Sequence, residues 1–180
     1  MRPWKTLGSE KLADYGIFQL RRDRCVSPRT GQEHGFVVLE GPDWVNVVAL
    51  TPDEQVVLIN QYRFGTGQVT LEIPGGIIDP GEAPLASGAR ELLEETGYTA
   101  RSFTLLGHVE PNPAIQNNRC YTVLAEGAVR SGEPSLDEKE DIGVVLYPLA
   151  DVPRLLTEGA IRHALVFAAF HKLYLHRQPK

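Results

Sequence analysis

The segment GARELLEETGY, residues 88–98, limits most tightly what this chain can fold into. Pro84 stands where a helix tolerates proline, in the first turn, and Gly97 stands at the usual stop. On an ideal helix of about 100° per residue, Leu85, Ala86, Ala89, Leu92 and Leu93 fall within a sector of about 120°. That spacing predicts a core-facing stripe. Glu91 and Glu95 lie within about 40° of each other, Glu94 lies about 60° to the other side, and the small Gly88 falls among them. Like charges at this spacing repel by roughly a few tenths of a kcal/mol per pair. A solvated acidic face is the ordinary explanation, so the surroundings must decide.

Around this helix the chain is rich in short β-prone runs: 17–26, 36–40, 45–50, 56–61, 69–73, 104–109, 121–125 and 144–147. Turn chemistry such as SPRTGQ and TPDE separates the early ones, which predicts antiparallel hairpins. A second helical region is expected over 152–156 and 160–175, with Leu165, Phe167, Ala168, Ala169, Leu173 and Leu175 as its apolar surface. Strands with one helix between them and one at the end predict an α+β layered fold. Residues 1–43 read as a strand-rich N-terminal extension, a subdomain or dimer arm, and 44–180 as the main domain.

The net charge of −5, with no compensating basic cluster, argues against nucleic-acid binding through phosphates. No run of about 18 apolar residues predicts a membrane span, and the first residues lack the apolar stretch of a signal peptide. Cys25 and Cys120 match no metal or redox spacing and read as ordinary buried thiols, which fits a reducing cytoplasm.

Upstream of the helix stands LEIPGGIIDPGE, a strand running into a glycine turn and then a loop with Glu82. Glycines let a backbone approach closely, and a carbonyl at Gly75 or Gly76 would face the carboxylates. Carboxylates, carbonyls and waters are the ligands that hard cations such as Mg²⁺ prefer, and Mg²⁺ commonly bridges to substrate phosphates. The acidic cluster therefore reads as a metal platform for phosphate-ester or anhydride chemistry.

GIIDPGEAPLASGARELLEETGY resembles the Nudix box at every fixed position: a glycine, five residues, Glu82, seven residues, REL, one residue, EE, one residue and Gly97. The resemblance spans roughly residues 44–175 and implies the Nudix fold, a mixed sheet between helices, and hydrolysis of a nucleoside diphosphate linked to another group. It implies Glu91 and Glu95 as the principal Mg²⁺ ligands, with Mn²⁺ a substitute, and Glu94 as a further ligand or orienting group. It gives Gly75 a backbone contact to the metal and Arg90 the task of orienting a glutamate, either Glu94 or Glu91. Glu82 would steady the loop or the outer metal shell.

INQYRF followed by LEIPGG resembles the ADP-ribose and nucleoside diphosphate sugar pyrophosphatases, with Arg63 contacting the diphosphate or terminal sugar. Pairing of Arg63 with Glu72 across neighbouring strands is the structural alternative, and both can hold. Ile77 is placed among the substrate contacts. Pro113, sixteen residues after Gly97, has the spacing associated with ADP-ribose pyrophosphatases. Asn112, Gln116, Asn117 and Asn118 offer amides to a sugar where relatives often carry an acid, which leaves other sugars open; turn-forming asparagines are the alternative. In EKEDI, Glu140 best matches the loop glutamate that acts as base or further ligand in this subgroup, with Glu138 second.

The N-terminal extension resembles the exchanged arms of dimeric relatives, which implies a homodimer. Phe18, Tyr15 or Trp44 could stack on the base, and Arg22, among Arg21, Arg22 and Arg24, could reach a phosphate; packing and solvation are the alternatives. The five histidines show no zinc-like spacing and receive no role. The leading expectation is a Mg²⁺-dependent pyrophosphatase of ADP-ribose or a GDP-mannose-type substrate. Hydrolysis of an oxidised nucleoside triphosphate or dinucleoside polyphosphate is a second reading. A non-catalytic nucleotide-sugar sensor is a third, disfavoured by the intact box.

Overall fold

The computed structural model describes residues 2–178, which group into two compact units. One unit is the chain up to Asp43 together with Glu110–Arg119; the other is Trp44–Val109 together with the chain from Cys120 on.

The first unit is an antiparallel meander of β1 (Lys5–Asp14), β2 (Gln19–Val26) and β3 (Glu33–Glu40). β1 carries no apolar alternation, which is why the sequence does not announce it. It is an edge strand, shifted in register twice along β2, with most of its side chains exposed. The Glu110–Arg119 loop is fastened to β3 and the residues after it. Leu39 N–H donates to Ile115 O at 2.7 Å, Asn118 Nδ2 to Pro42 O at 3.1 Å, and Arg119 N–H to Asp43 Oδ1 at 2.6 Å. Among the described residues of this unit only Cys25, Ser27 and Asn118 are buried, so the sheet has almost no core of its own.

The second unit is built on a mixed seven-stranded sheet. Its main path runs β12 (Ile142–Pro148), β5 (Gln55–Arg63), β4 (Trp44–Leu50), β10 (Cys120–Glu126) and β9 (Ser102–Val109), with β4 and β10 parallel. A small ribbon pairs β8 (Tyr98–Thr99) with β11 (Val129–Arg130). β4 is buried on both faces, and its alternation divides two cores. Val45, Val47 and Ala49 pack with Leu92 of α1 (Pro84–Thr96), while Val48 and Leu50 pack with α2 (Val152–Thr157) and α3 (Ala164–Arg177). The mixed sheet between helices is the α+β layering expected from sequence.

One irregularity positions the site. β4 and β5 share a single pair, Leu50 with Val56, and then part. The chain fills the gap with β6 (Gln68–Glu72), paired to β5, and β7 (Gly75–Ile77), paired to β4. Two glycines give β7 no β propensity of its own, so the sequence does not announce it.

Two helical expectations are corrected. In α1 the buried residues are Ser87, Gly88, Glu91, Leu92, Glu95 and Thr96, whereas Leu85 and Leu93 are 38% and 42% exposed. The helix is turned by about a third of a revolution from the leucine stripe. The cause is close approach: a Cβ on Gly88 would stand 3.2 Å from Val123 Cγ2 and 3.3 Å from Val47 Cγ2, a tight fit, so the glycine face lets the helix lie this near the sheet without displacing the valines. The expected stop holds, since Gly97 takes the left-handed conformation at φ 71°. The last helix begins at Ala164 rather than at 160, because Gly159 turns the chain and His163 is extended. It buries Val166, Ala169, Phe170 and Leu173, an i, i+3, i+4, i+7 set that leaves Phe167 and Leu175 exposed.

The two adjacent leucines of α1 separate these alternatives. Leu92→Ala should cost about 2–4 kcal/mol in urea denaturation and Leu93→Ala less than about 1 kcal/mol. Equal costs, or the reverse order, would restore the leucine stripe.

Candidate active site

The gap between β4 and β5 presents the Gly75–Gly76 backbone to the buried face of α1. Gly75 N–H donates to Glu95 Oε2 at 2.8 Å. A Cβ on Gly76 would stand 2.5 Å from Glu91 Oε1, so the Glu91 carboxylate occupies space that any other residue would claim. Glu91 is 8% exposed and Glu95 2%. The glycine pair is thus a condition for seating two carboxylates between helix and sheet.

Arg90 ties this face to the loop before the helix. Its Nε and Nη2 donate to Glu82 at 3.1 and 2.9 Å, and Nη1 to Glu91 at 2.9 Å and Glu94 at 3.0 Å. Nη2 also reaches Ile77 O at 3.1 Å and Ser87 Oγ at 3.1 Å. Both glutamates weighed as partners of Arg90 are therefore engaged, and Glu82 is the bidentate one. The bonds to Glu82 and the other carboxylates hold Arg90 firmly ionised, and Arg90 in turn holds Glu82 below its ordinary range.

Glu95 has no comparable cation. Burial first, against the help of Gly75 N–H, and then repulsion from Glu91 and Glu140 push its carboxyl up to about 8. Burial likewise raises Glu91 in spite of Arg90, and Glu94 and Glu140 add to the rise. Glu140 is half-buried on the loop before β12 and close enough to act on both carboxyls, while Glu138 is exposed. Glu140 Oε2 accepts the Asp137 N–H at 3.0 Å, a local cap within that loop.

Buried carboxylate oxygens suit a hard divalent cation, and of the two Glu95 has no side-chain cation while Glu91 shares Arg90. Among the described residues no three acidic, histidine or cysteine side chains form a ready-made metal cluster. Glu91 and Glu94 both accept from Arg90, Glu140 caps its own loop, and Glu95 accepts from the Gly75 N–H.

Arg63 of β5 makes a bidentate pair with Glu72 of β6, at 2.9 and 2.8 Å, and Thr70 Oγ1 adds a bond to Glu72 at 2.6 Å. Burial opposes the Glu72 charge, but Arg63 and Thr70 outweigh it and keep the carboxyl below its ordinary value. Arg63 also borders two clefts. One, of about 320 Å³, is lined by Trp44, Asn46, Gly75, Gly76, Ile77 and His163. The other, of about 830 Å³, follows the β5–β6 hairpin and reaches His163 at the start of α3.

The remaining candidates belong to the first unit. Asn117 Oδ1 accepts Gly41 N–H and its Nδ2 donates to Glu40, both at 3.3 Å, and the buried Asn118 amide holds Pro42 O. Asn112 O accepts the Ile115 and Gln116 N–H groups, with Pro113 exposed in the same turn. These amides hold the loop to its own unit. Phe18 packs on Tyr15 with ring centroids 5.2 Å apart, and Arg22 is exposed, whereas Arg21 pairs with Asp23 and Glu40. Asn46 and His163 carried no signal in the sequence. One sits in an apolar strand, the other before a helix, and only the parting of β4 from β5 brings them to the clefts.

A family model described as a NUDIX domain matches residues 42–170. An ADP-ribose pyrophosphatase of Mycobacterium tuberculosis is 32% identical over 92% of this chain and 80% of its own length. One of Bacillus subtilis is 28% identical over 95% and 92%. A crystal structure of an ADP compounds hydrolase superposes with a TM-score of 0.86 at 25% identity, covering 97% of this chain and 94% of that one.

The raised Glu95 carboxyl has a measurable consequence. Glu95 keeps its proton up to about pH 8 in the folded protein, against an ordinary value of 4.5. Between those values the folded state binds the extra proton, so stability falls as pH rises. Chelator-treated protein should lose on the order of 1–2 kcal/mol between pH 6 and pH 8. Glu95→Gln should flatten that slope; an unchanged slope would place the Glu95 carboxyl at an ordinary value.

Proposed function

From the membership of this chain in the Nudix family, hydrolases of diphosphate linkages, we propose that its substrate is a nucleoside diphosphate sugar of the ADP-ribose or GDP-mannose type. The products would be a nucleoside monophosphate and a sugar phosphate. The observation that carries this reading is the seating of Glu91 and Glu95 against Gly75 and Gly76 at a cleft bordered by Arg63. The ADP-ribose pyrophosphatases of similar length and sequence support it.

In this reading Glu91 and Glu95 hold Mg²⁺, for which Mn²⁺ can substitute. When bound, the ion supplies charge neutralisation at the phosphate oxygens and a more acidic water. Arg63, held in place by Glu72, binds the diphosphate. Arg90 keeps Glu91 in position and draws Glu94 to the rim, where it orients rather than ligates. Glu140 takes the proton of the attacking water; its reach to Glu91 and Glu95 favours it over the exposed Glu138. Trp44 and Ile77 line the diphosphate cleft. Among the described residues no helix is long and apolar enough to cross a membrane.

The N-terminal sheet is read as an arm for a second copy of this chain, exchanged between protomers. Its near-absence of a core and the exposed Trp4, Phe36 and Val37 support that reading. Sedimentation equilibrium should then give twice the chain mass; a monomer at micromolar concentration would end this part of it.

The reaction itself is tested by following AMP release from ADP-ribose and GMP release from GDP-mannose with Mg²⁺. Turnover of one or both is expected, with Glu95→Gln folded and reduced by about 10³-fold or more, the scale at which a preorganised charge is lost. Near-normal activity of that variant would remove Glu95 from the metal site.

A further inference from the structure

Strand alternation and register place Gln61 and Arg63 on one face of β5, opposite Thr70 and Gln68 of β6, with Glu72 next along that row. This is a row of polar side chains within a sheet, and most of it is internally satisfied. Arg63 and Thr70 bond to Glu72, and Gln68 Oε1 accepts Arg162 Nη2 at 2.7 Å. Gln61 is the exception: its Oε1 is buried and has no partner. A buried polar atom left unpaired is destabilising, and native folds seldom keep one without a use.

Among the described residues, three buried side-chain polar atoms lack a partner: Asn46 Nδ2, Gln61 Oε1 and His163 Nδ1. All three residues line the two clefts that meet at Arg63. Asn46 is in the smaller cleft with Gly75 and Gly76, Gln61 is in the hairpin cleft, and His163 borders both. Their chemistry differs in the same order. Asn46 Nδ2 is a donor and suits a phosphate oxygen. Gln61 Oε1 is an acceptor, which a phosphate cannot satisfy but a hydroxyl can. The hairpin cleft, about 830 Å³, is the size of sites that enclose a small organic group.

We propose that the hairpin cleft is the subsite for the hydroxyl-bearing sugar beyond the diphosphate, with Gln61 and His163 as its specificity-determining residues. Gln61 Oε1 accepts a sugar hydroxyl. His163, where the clefts join, bonds the ligand at the point where sugar meets phosphate. The proposal rests on the nucleotide-sugar reading and adds where the sugar lies. A site built around a ligand hydroxyl discriminates strongly against analogues lacking it, since its own buried group is then unpaired again. Nucleoside diphosphates without a distal sugar are therefore predicted to be poor ligands.

The test compares Gln61→Leu and His163→Leu with the wild-type chain. Calorimetric titration with ribose 5-phosphate, mannose 1-phosphate and inorganic phosphate reads the subsite without turnover. At least one sugar phosphate should bind the wild-type protein about 10-fold or more tightly than phosphate. Gln61→Leu should erase that preference while its thermal midpoint stays the same or rises, because an unpaired buried oxygen has been removed. kcat/KM for ADP-ribose or GDP-mannose should fall with it. A preference retained in both variants overturns the proposal, and so does equal binding of all three anions by the wild type. A lowered midpoint in Gln61→Leu also overturns it, since Gln61 would then serve the fold through internal water. If no nucleotide is hydrolysed, the enzymatic reading fails, while a sugar-phosphate preference lost in Gln61→Leu still supports the subsite.

Discussion

The carboxylate of Glu95 meets the backbone N–H of Gly75 across the seam between α1 and the sheet, and the architecture of the second unit is arranged around that contact. For it to form, β4 must part from β5 so that β7 can enter beside β4. Gly76 lacks a side chain, so Glu91 can lie next to it, and Gly88 lacks one, which eases the helix's approach to Val47 and Val123. Three glycines thus bring two acids into the interior. Without a compensating interaction, two buried carboxylates at such a site are a strain on the fold, and their raised titration expresses it.

Two arginines set the limits of that strain. Arg90 satisfies Glu82, Glu91 and Glu94 at the rim and draws the loop before the helix onto it. Arg63 is matched to Glu72, a bidentate pair with Thr70 as third partner, and stands at the junction of the two clefts. Glu95 has neither as a direct partner and is more deeply buried than both. The fold therefore pairs Glu72, Glu82, Glu91 and Glu94 with arginines and leaves the buried Glu95 without a side-chain cation.

The layered fold was legible because its main strands and helices carry strong local patterns. The buried strand from Trp44 to Leu50 is nearly all apolar, and the helix from Pro84 has both of its end signals. β1 and β7 were not legible: one is an exposed edge without alternation, the other a glycine pair that is a strand only because β4 needs a partner there. The facing of α1 departs from the leucine stripe for a physical reason. Periodicity ranks residues by hydrophobicity, whereas here the buried face is chosen by the smallest residue and by two acids with backbone and cation partners. The acidic cluster and Arg63 could be read from spacing. Asn46, Gln61 and His163 could not, because their significance lies in bonds they do not make, which only the surrounding geometry reveals.

In the proposed function the buried pair Glu91 and Glu95 is held for a divalent cation, in whose absence protons take its place. Proton release on Mg²⁺ addition tests this directly, by titrating the protein at pH 7 in two buffers of different ionisation enthalpy. Release of about one proton per ion bound is predicted, because a carboxyl titrating near pH 8 must give up its proton to the metal. Binding of Mg²⁺ with no proton released would contradict the account, placing the ion elsewhere or showing the two carboxylates already ionised.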